Sequence, residues 1–166
     1  MNTAATPSGA LIASVALMAG ILVTATAVAC GSDVTTTPKP ATFVTTMSGA
    51  GEVPAKAVPG TGTAIVVKNG GTYTYTVVYS GMTGVLIGGH IHGPAGTGAN
   101  ATPIVPFETT NAGASGTLTG TFTSTNDITI SNDSLDVLMR TGNAYVNLHT
   151  AANPGGEIRG QLSQQQ

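Results

Sequence analysis

Three histidines are the residues of this 166-residue chain best suited to do chemistry, namely His90, His92 and His149. A neutral imidazole ring is a common protein ligand for zinc and copper. Residues two positions apart in a β-strand project from the same face, so a strand there would point His90 and His92 together. If a second strand brings His149 beside this pair, the three rings predict a trigonal or open tetrahedral site for copper or zinc.

The same histidines also allow a purely structural interpretation. They lie next to the turn residues Gly93-Pro94 and Pro154, where their rings could tie loops by hydrogen bonds to backbone carbonyls, because buried polar groups need partners. Glu157 and Arg159 share one face of the last predicted strand, so they could pair with each other or reach the histidine loop. The sequence favours this structural role over metal binding, and both interpretations stay open at this point.

The elements that must position these side chains are β-strands. Residues 72–79 alternate threonine with aromatic or branched residues, which places Tyr73, Tyr75, Val77 and Tyr79 on one face. An Asn-Gly-Gly turn at 69–71 predicts a tight hairpin before this strand. We expect further strands at residues 41–47, 60–68, 85–91, 103–107, 116–123, 144–150 and 157–162, with 103–107 at a sheet edge because of its two prolines.

One segment has helical periodicity. Leu135, Leu138 and Met139 in residues 132–140 follow the spacing of a helix face, with Asp133 or Ser134 as the expected cap. A turn at 153–156 should join the last two strands. Seven or eight short strands with turns between them predict an all-β fold, an antiparallel β-sandwich or barrel with one short helix. We favour a β-sandwich of Greek-key or immunoglobulin-like type.

Composition excludes several classes of protein. Only 7% of residues are charged and the net charge is −2, so a nucleic-acid binder with clustered basic residues is not expected. A single cysteine cannot form a disulfide within the chain. No Gly-x-Ser-x-Gly elbow and no defensible carboxylate pair is visible, so we expect no enzyme activity.

The single cysteine, Cys30, follows an uncharged stretch of twenty residues at 10–29 that ends in Ala-Val-Ala. This arrangement resembles a bacterial lipobox, in which a signal peptidase cuts before a cysteine that carries lipid. Lipidation at Cys30 would anchor the protein to the membrane, which we prefer over an uncleaved anchor or plain secretion. Residues 30–41 are polar and contain two prolines, which is typical of a flexible tether.

Three segments together resemble the chordin-type family called CHRD. They are SGAGEVP at 48–54, GHIHGPA at 89–95, and AYVNLHT at 144–150 followed by PGGEIRGQL at 154–162. The resemblance implies a CHRD domain over 42–163. The stretch before Cys30 predicts a lipoprotein-type signal peptide at 1–29, and the terminal glutamines predict a disordered tail at 164–166. The motif residues that the resemblance marks, with a structural role expected, are Glu52, Pro54, Gly93, Pro94, Asn147, Glu157 and Arg159.

The Gly-x-His-x-His run also resembles the copper-binding strand of Cu/Zn superoxide dismutases, which are β-sandwiches. The resemblance implies that His149 would be the later histidine ligand and that Arg159 would stand where an arginine guides the anion. The chain has no fourth histidine, and one cysteine cannot supply that enzyme's disulfide. We therefore do not expect dismutase activity.

CHRD domains occur in animal chordin and in many bacterial secreted proteins, so the resemblance implies location and fold more than chemistry. We expect a cell-envelope lipoprotein, at the outer membrane if the cell is Gram-negative, or a secreted protein. Its expected role is that of a non-enzymatic binding or structural module for an extracellular protein or glycan. The alternative is a histidine-based copper or zinc protein with a superoxide dismutase-like site.

Overall fold

The structure, a computed structural model, describes residues 39–123 and 128–166. Cys30, the predicted signal peptide at 1–29 and most of the predicted tether lie outside the described residues. The described part contains nine β-strands, a 3-10 turn at Gly49–Gly51 and one α-helix. The strands are β1 Ala41–Ser48, β2 Thr61–Asn69, β3 Thr72–Ser80, β4 Leu86–His92, β5 Pro103–Pro106, β6 Gly116–Thr123, β7 Tyr145–Thr150, β8 Asn153–Gln161 and β9 Ser163–Gln164; the helix is α1 Asn132–Arg140.

All the strand pairs are antiparallel, and they belong to one continuous sheet with the order β5-β4-β7-β8-β1-β2-β3-β6. The all-β class with one short helix is therefore confirmed. The sheet is nearly closed and barrel-like, so the two layers expected of a sandwich are opposite sides of a single curled sheet. The pairs β4–β7 and β3–β6 join strands that are distant in sequence, as Greek-key connections do.

The alternation in β3 separates the core from the solvent. Tyr73, Tyr75, Val77 and Tyr79 are buried, and the threonines between them are exposed. The ring of Tyr73 stacks on Phe122 of β6 at 4.8 Å, and the ring of Tyr75 stacks at 4.4 Å on Phe107, just after β5. Because β5 lies at one end of the sheet and β3 lies next to β6 at the other end, the contact between Tyr75 and Phe107 helps to draw the two ends together.

The helix covers residues 132–140 as the periodicity predicts, with Leu135 and Met139 buried against the core. Its cap is Ser131, whose hydroxyl accepts a hydrogen bond from the backbone of Ser134, so the expected cap at Asp133 or Ser134 is wrong by two or three positions. Serine and aspartate are both good caps, and the backbone turn alone decides between neighbours. Among residues 39–123 and 128–166, no helix is long and apolar enough to cross a bilayer.

Two expectations about the last strands need correction. The turn predicted at 153–156 is instead the pair Ala151-Ala152, and β8 begins at Asn153, which pairs with Thr150. Glycines at 155 and 156 suggested a turn, but here they extend an irregular end of the strand. A disordered tail was expected from residue 164 onward. Instead, Gln164 pairs with Phe43, and the amide of Gln165 donates to the carbonyl of Thr42.

Gly160 marks the place where β8 approaches β1 most closely. A Cβ atom at this position would lie 2.2 Å from the carbonyl oxygen of Thr46. We expect Gly160→Ala to lower the free energy of unfolding by about 1–3 kcal/mol, because backbone atoms cannot yield as a flexible side chain can. Chemical denaturation of the full-length protein in detergent measures this change.

Gly84 is the matched control, because a Cβ atom added there has no neighbour within 4 Å. Gly84→Ala should leave the stability unchanged or raise it slightly. Equal effects of the two alanines would show that the seam between β8 and β1 is not tightly packed.

Candidate metal centre

Three neighbouring strands carry the predicted site on the outward face of the sheet. Their inward residues, Ile91 of β4, Leu148 of β7 and Ile158 of β8, are fully buried in the core. Cross-strand pairing sets His90 opposite Asn147 and Gly88 opposite His149. Since the inward and outward positions alternate, this register forces all three histidines to the opposite face from the core.

Irregular pairing accompanies this arrangement. The β4–β7 register shifts between Leu86 and Gly88, and the β7–β8 register shifts between Leu148 and Thr150. Such irregularities re-aim side chains and are frequent beside functional sites. Here they let His149 lean toward His90, and Gly88 leaves room for both rings because a Cβ atom there would lie 3.1 Å from the His90 ring.

The structure brings the three predicted histidines together. One ligand nitrogen from each ring lies within 4.8 Å of the others, and no other group of three or more His, Cys, Asp or Glu residues in the described ranges is so close. Nδ1 of His90 is 3.2 Å from Nε2 of His149, and the ring centroids of His92 and His149 are 5.7 Å apart. His92 and His149 are buried, whereas His90 is half-buried and gives the cluster its solvent side.

Two backbone carbonyls fix the orientation of the buried rings. Nδ1 of His92 lies 2.9 Å from the carbonyl oxygen of Ala101, and Nδ1 of His149 lies 3.0 Å from that of Pro154. A carbonyl only accepts, so each Nδ1 must carry the proton and each Nε2 must present its lone pair. Nε2 of His92 is buried and has no hydrogen-bond partner among the described atoms.

All three rings are held in the neutral form. Burial lowers the pKa of His90 to about 4, helped by the nearby charge of His149 and His92 when those rings are protonated. Burial is also the main cause that lowers the pKa of His92 and of His149 below the ordinary value. Near pH 7 the cluster therefore offers uncharged imidazoles, which is the form that binds metals.

Arg159 contacts the loop at 93–102, which follows His92. This contact is one of the two structural roles predicted for Arg159, the other being a pair with Glu157. Its guanidinium lies 3.5 Å from the ring centroid of Tyr145 and donates to the carbonyl of Gly96 and to the side chain of Asn100. The Tyr145 ring in turn stacks on His92 at 4.9 Å. Arg159 is only 2% exposed, and its guanidinium holds the loop at 93–102 over the histidines.

Glu157 lies further along β8 and does not bind Arg159. Its buried carboxylate accepts hydrogen bonds from the backbone and hydroxyl of Thr83, the hydroxyl of Thr150 and the amide of Asn153. Burial alone would raise the pKa of Glu157, but these hydrogen bonds outweigh it and lower the pKa. This carboxylate ties the segment before β4 to the β7–β8 hairpin.

A second acid, Glu52, covers Asn147 on the same face. The amide of Asn147 donates to Glu52 at 3.4 Å, while Oε1 of Glu52 and Oδ1 of Asn147 are buried without a partner among the described atoms. Burial raises the pKa of Glu52, partly opposed by that hydrogen bond and by Lys56 and Arg159. Gly156, at φ +122°, passes so close that a Cβ atom would meet both side chains.

The remaining predicted motif residues shape the loops. Gly93 is buried, and its amide donates to the carbonyl of Thr102. Pro94 and Pro54 each follow a cis peptide bond and are exposed. Sequence reasoning missed Tyr145 and Lys56. Tyr145 was signalled by its place two residues before Asn147 and four before His149, on the same face of one strand.

The CHRD domain family model matches residues 43–162. The chain belongs to the CHRD domain family. No curated protein and no solved structure gives a significant match to it. The CHRD match includes β4, β7 and β8, which carry the site, and the loop at 93–102, which covers the histidines.

Glu157 gives this CHRD domain a pH-dependent contribution to stability. The pKa of this carboxyl group is lower in the folded state than in the unfolded state, where it is about 4.3. The group therefore stabilises the fold fully above the unfolded pKa, and this stabilisation is lost as the pH falls through the folded pKa. Glu157→Gln should lower the free energy of unfolding at pH 7 by about 1.5–3 kcal/mol, because the amide cannot accept all these bonds. The difference should shrink below pH 4.

Denaturant unfolding of both proteins from pH 7 to pH 3 measures this. Glu108→Gln is the control, because its exposed carboxylate bonds to neighbouring Thr110 at the surface and its loss should change stability little. A Glu157→Gln effect that stays constant across this pH range would contradict the assignment.

Proposed function

We propose that this CHRD protein is an exported, lipid-anchored, non-enzymatic binding module whose folded domain holds a copper or zinc ion at His90, His92 and His149. The observation that carries the proposal is the convergence of three neutral imidazoles, two of them with their lone pairs fixed toward the cluster by backbone carbonyls. Hydrogen bonds from the far ring nitrogen to such acceptors are the usual second shell of a metal-binding histidine.

The spacing is close to what coordination requires. Bonds of about 2.0–2.1 Å place the nitrogens of a trigonal or tetrahedral site about 3.3–3.6 Å apart. The pair formed by His90 and His149 is already at 3.2 Å, and the other nitrogen separations, none above 4.8 Å, must shorten when an ion binds. Nε2 of His92 supports the proposal further. It is buried without a partner among residues 39–123 and 128–166, and such a lone pair costs free energy that a metal would recover.

The structural interpretation supplies the competing explanation for the same contacts. His92 and His149 do bind loop carbonyls, as that interpretation expects, and those bonds persist whether or not a metal is present. It gives no partner to Nε2 of His92, which is why we place metal binding first. We propose a non-catalytic role because Arg159, the counterpart of an anion-guiding arginine, is enclosed beneath the loop at 93–102.

The proposed location rests on the sequence around Cys30. An apolar stretch that ends in Ala-Val-Ala before the single cysteine supports lipid attachment and a position in the cell envelope. The outward faces of β2, β3 and β6 expose threonine and branched residues, which suits contact with an extracellular protein or glycan. No nucleic acid is proposed as a partner.

Metal binding can be tested on the full-length protein purified in detergent and treated with EDTA. Adding one equivalent of Zn²⁺ or Cu²⁺ should raise the melting temperature, since a metal at 100 times its Kd stabilises by about 2.7 kcal/mol. Calorimetry should give one site per chain with a sub-micromolar Kd. No change in melting temperature on chelation, with no binding tighter than micromolar, would leave the histidines as structural ties.

His90→Ala is the sharpest variant, because His90 is the half-buried member and its removal leaves both carbonyl contacts intact. Loss of a direct ligand should weaken metal binding by more than about 100-fold. Thr74→Ala, at an exposed position of β3, is the control and should bind as the unmodified protein does. Equal affinity of both variants would remove His90 from the site.

Lipid attachment predicts that the protein incorporates radiolabelled palmitate in a bacterial host and stays with the membrane fraction. Cys30→Ala removes the only thiol of the chain, so both label and membrane retention should be lost. Retention of the variant in the membrane would indicate an uncleaved apolar anchor, and release of the unmodified protein would indicate plain secretion.

A further inference from the structure

The donor set of the histidine cluster carries no negative charge. The three ligand groups are neutral rings, and in the described ranges the cluster includes no carboxylate and no thiolate. Any ion held here must therefore keep its whole charge or bring its own anion. This matters because His92 and His149 are more than nine-tenths buried, and the cost of burying an ion grows with the square of its charge.

The nearest charged groups add to this cost. The Arg159 guanidinium stacks on Tyr145, which stacks on His92, so a fixed positive charge lies one ring away from a ligand. Nζ of Lys56 donates to Asn153 at 3.0 Å, and the next residue, Pro154, supplies the carbonyl that holds His149. Two cations thus flank the cluster on two sides.

The neighbouring acids are engaged in other contacts. Glu157 is the acid on β8, and its carboxylate accepts its four hydrogen bonds from Thr83, Thr150 and Asn153 and not from the histidines. Glu52 is buried over Asn147, and its carboxylate accepts a hydrogen bond from the Asn147 amide at 3.4 Å and not from a histidine.

We infer that the site selects monovalent copper over divalent ions, with His90, His92 and His149 as a three-coordinate ligand set. This rests on the proposed metal-binding function. Cu⁺ and Zn²⁺ both have a filled d-shell, so the difference between them is charge: monovalent Cu⁺ is satisfied by three neutral donors, whereas Zn²⁺ takes a fourth ligand and Cu²⁺ prefers four or more in tetragonal geometry. A single positive charge also halves the repulsion from Lys56 and Arg159 relative to a divalent ion.

A competition titration tests the inference on the full-length protein in detergent. Cu⁺ is supplied anaerobically with ascorbate and partitioned against bicinchoninate, while Zn²⁺ and Cu²⁺ are titrated by calorimetry in a chloride-free buffer. We expect one Cu⁺ per chain, bound at least about 100-fold more tightly than Zn²⁺, because charge and coordination number both favour the monovalent ion.

Lys56→Gln tests the electrostatic cause. Removing this charge should raise the affinity for Zn²⁺ several-fold and that for Cu⁺ by a smaller factor, since the repulsion scales with the charge of the ion. Lys68→Gln is the matched control, because Lys68 pairs with Asp136 on α1 and should leave both affinities unchanged. Equal responses of the two lysine variants would overturn the electrostatic argument.

The outcomes separate this inference from the proposed function. Zn²⁺ or Cu²⁺ binding as tightly as Cu⁺ at the same three histidines would overturn the preference for monovalent copper and would support a metal-binding CHRD domain. Failure of all three ions to bind would overturn both. Tight Cu⁺ binding that survives His90→Ala would show that copper occupies another place in the chain, which also overturns the inference.

Discussion

The pairing of β4 with β7 is the constraint on which the rest of the structure depends. These strands are more than fifty residues apart in the chain, yet their register sets His90 opposite Asn147 and Gly88 opposite His149. A slip of β4 by one residue against β7 would turn His90 and His92 into the core and Ile91 out of it. The burial of that apolar side chain therefore fixes the geometry of the polar cluster on the opposite face.

The polar layer between the sheet and its covering loops is costly to build. Buried atoms such as Oε1 of Glu52 and Oδ1 of Asn147 have no partner within the part of the chain that the structure describes, and each such atom costs about 1–3 kcal/mol. Arg159 offsets part of this cost because it stacks on Tyr145 and donates to the loop at 93–102. The apolar core of the CHRD domain stabilises the fold and offsets the unfavourable free energy of this polar layer. Packing alone does not explain the arrangement of the polar groups.

Sequence patterns predicted the strands well where one face is buried and the other is wet. Tyr73 to Tyr79 alternate so regularly that the pattern identifies the buried face of the strand, and the helix at 132–140 was marked by its apolar spacing. The association of the three histidines was predicted from His90 and His92 sharing a face. The carbonyls of Ala101 and Pro154, which orient the rings, were beyond prediction because any residue supplies a carbonyl. The glycines at 155 and 156 wrongly predicted a turn. Gly156 is needed because the strand passes close to Asn147 and Glu52, and glycine is also the residue that a turn favours, so the sequence could not tell the two apart.

The edge strand β5 begins and ends with proline, at Pro103 and Pro106. A proline has no amide hydrogen to offer, so an incoming strand from another molecule would find gaps along this border. The aromatic contact of Phe107 with Tyr75 further tucks the end of this border against the core. The domain is thereby protected at β5 against sheet-to-sheet aggregation, and copies at high local density can stay separate without relying on charge, of which this chain has little.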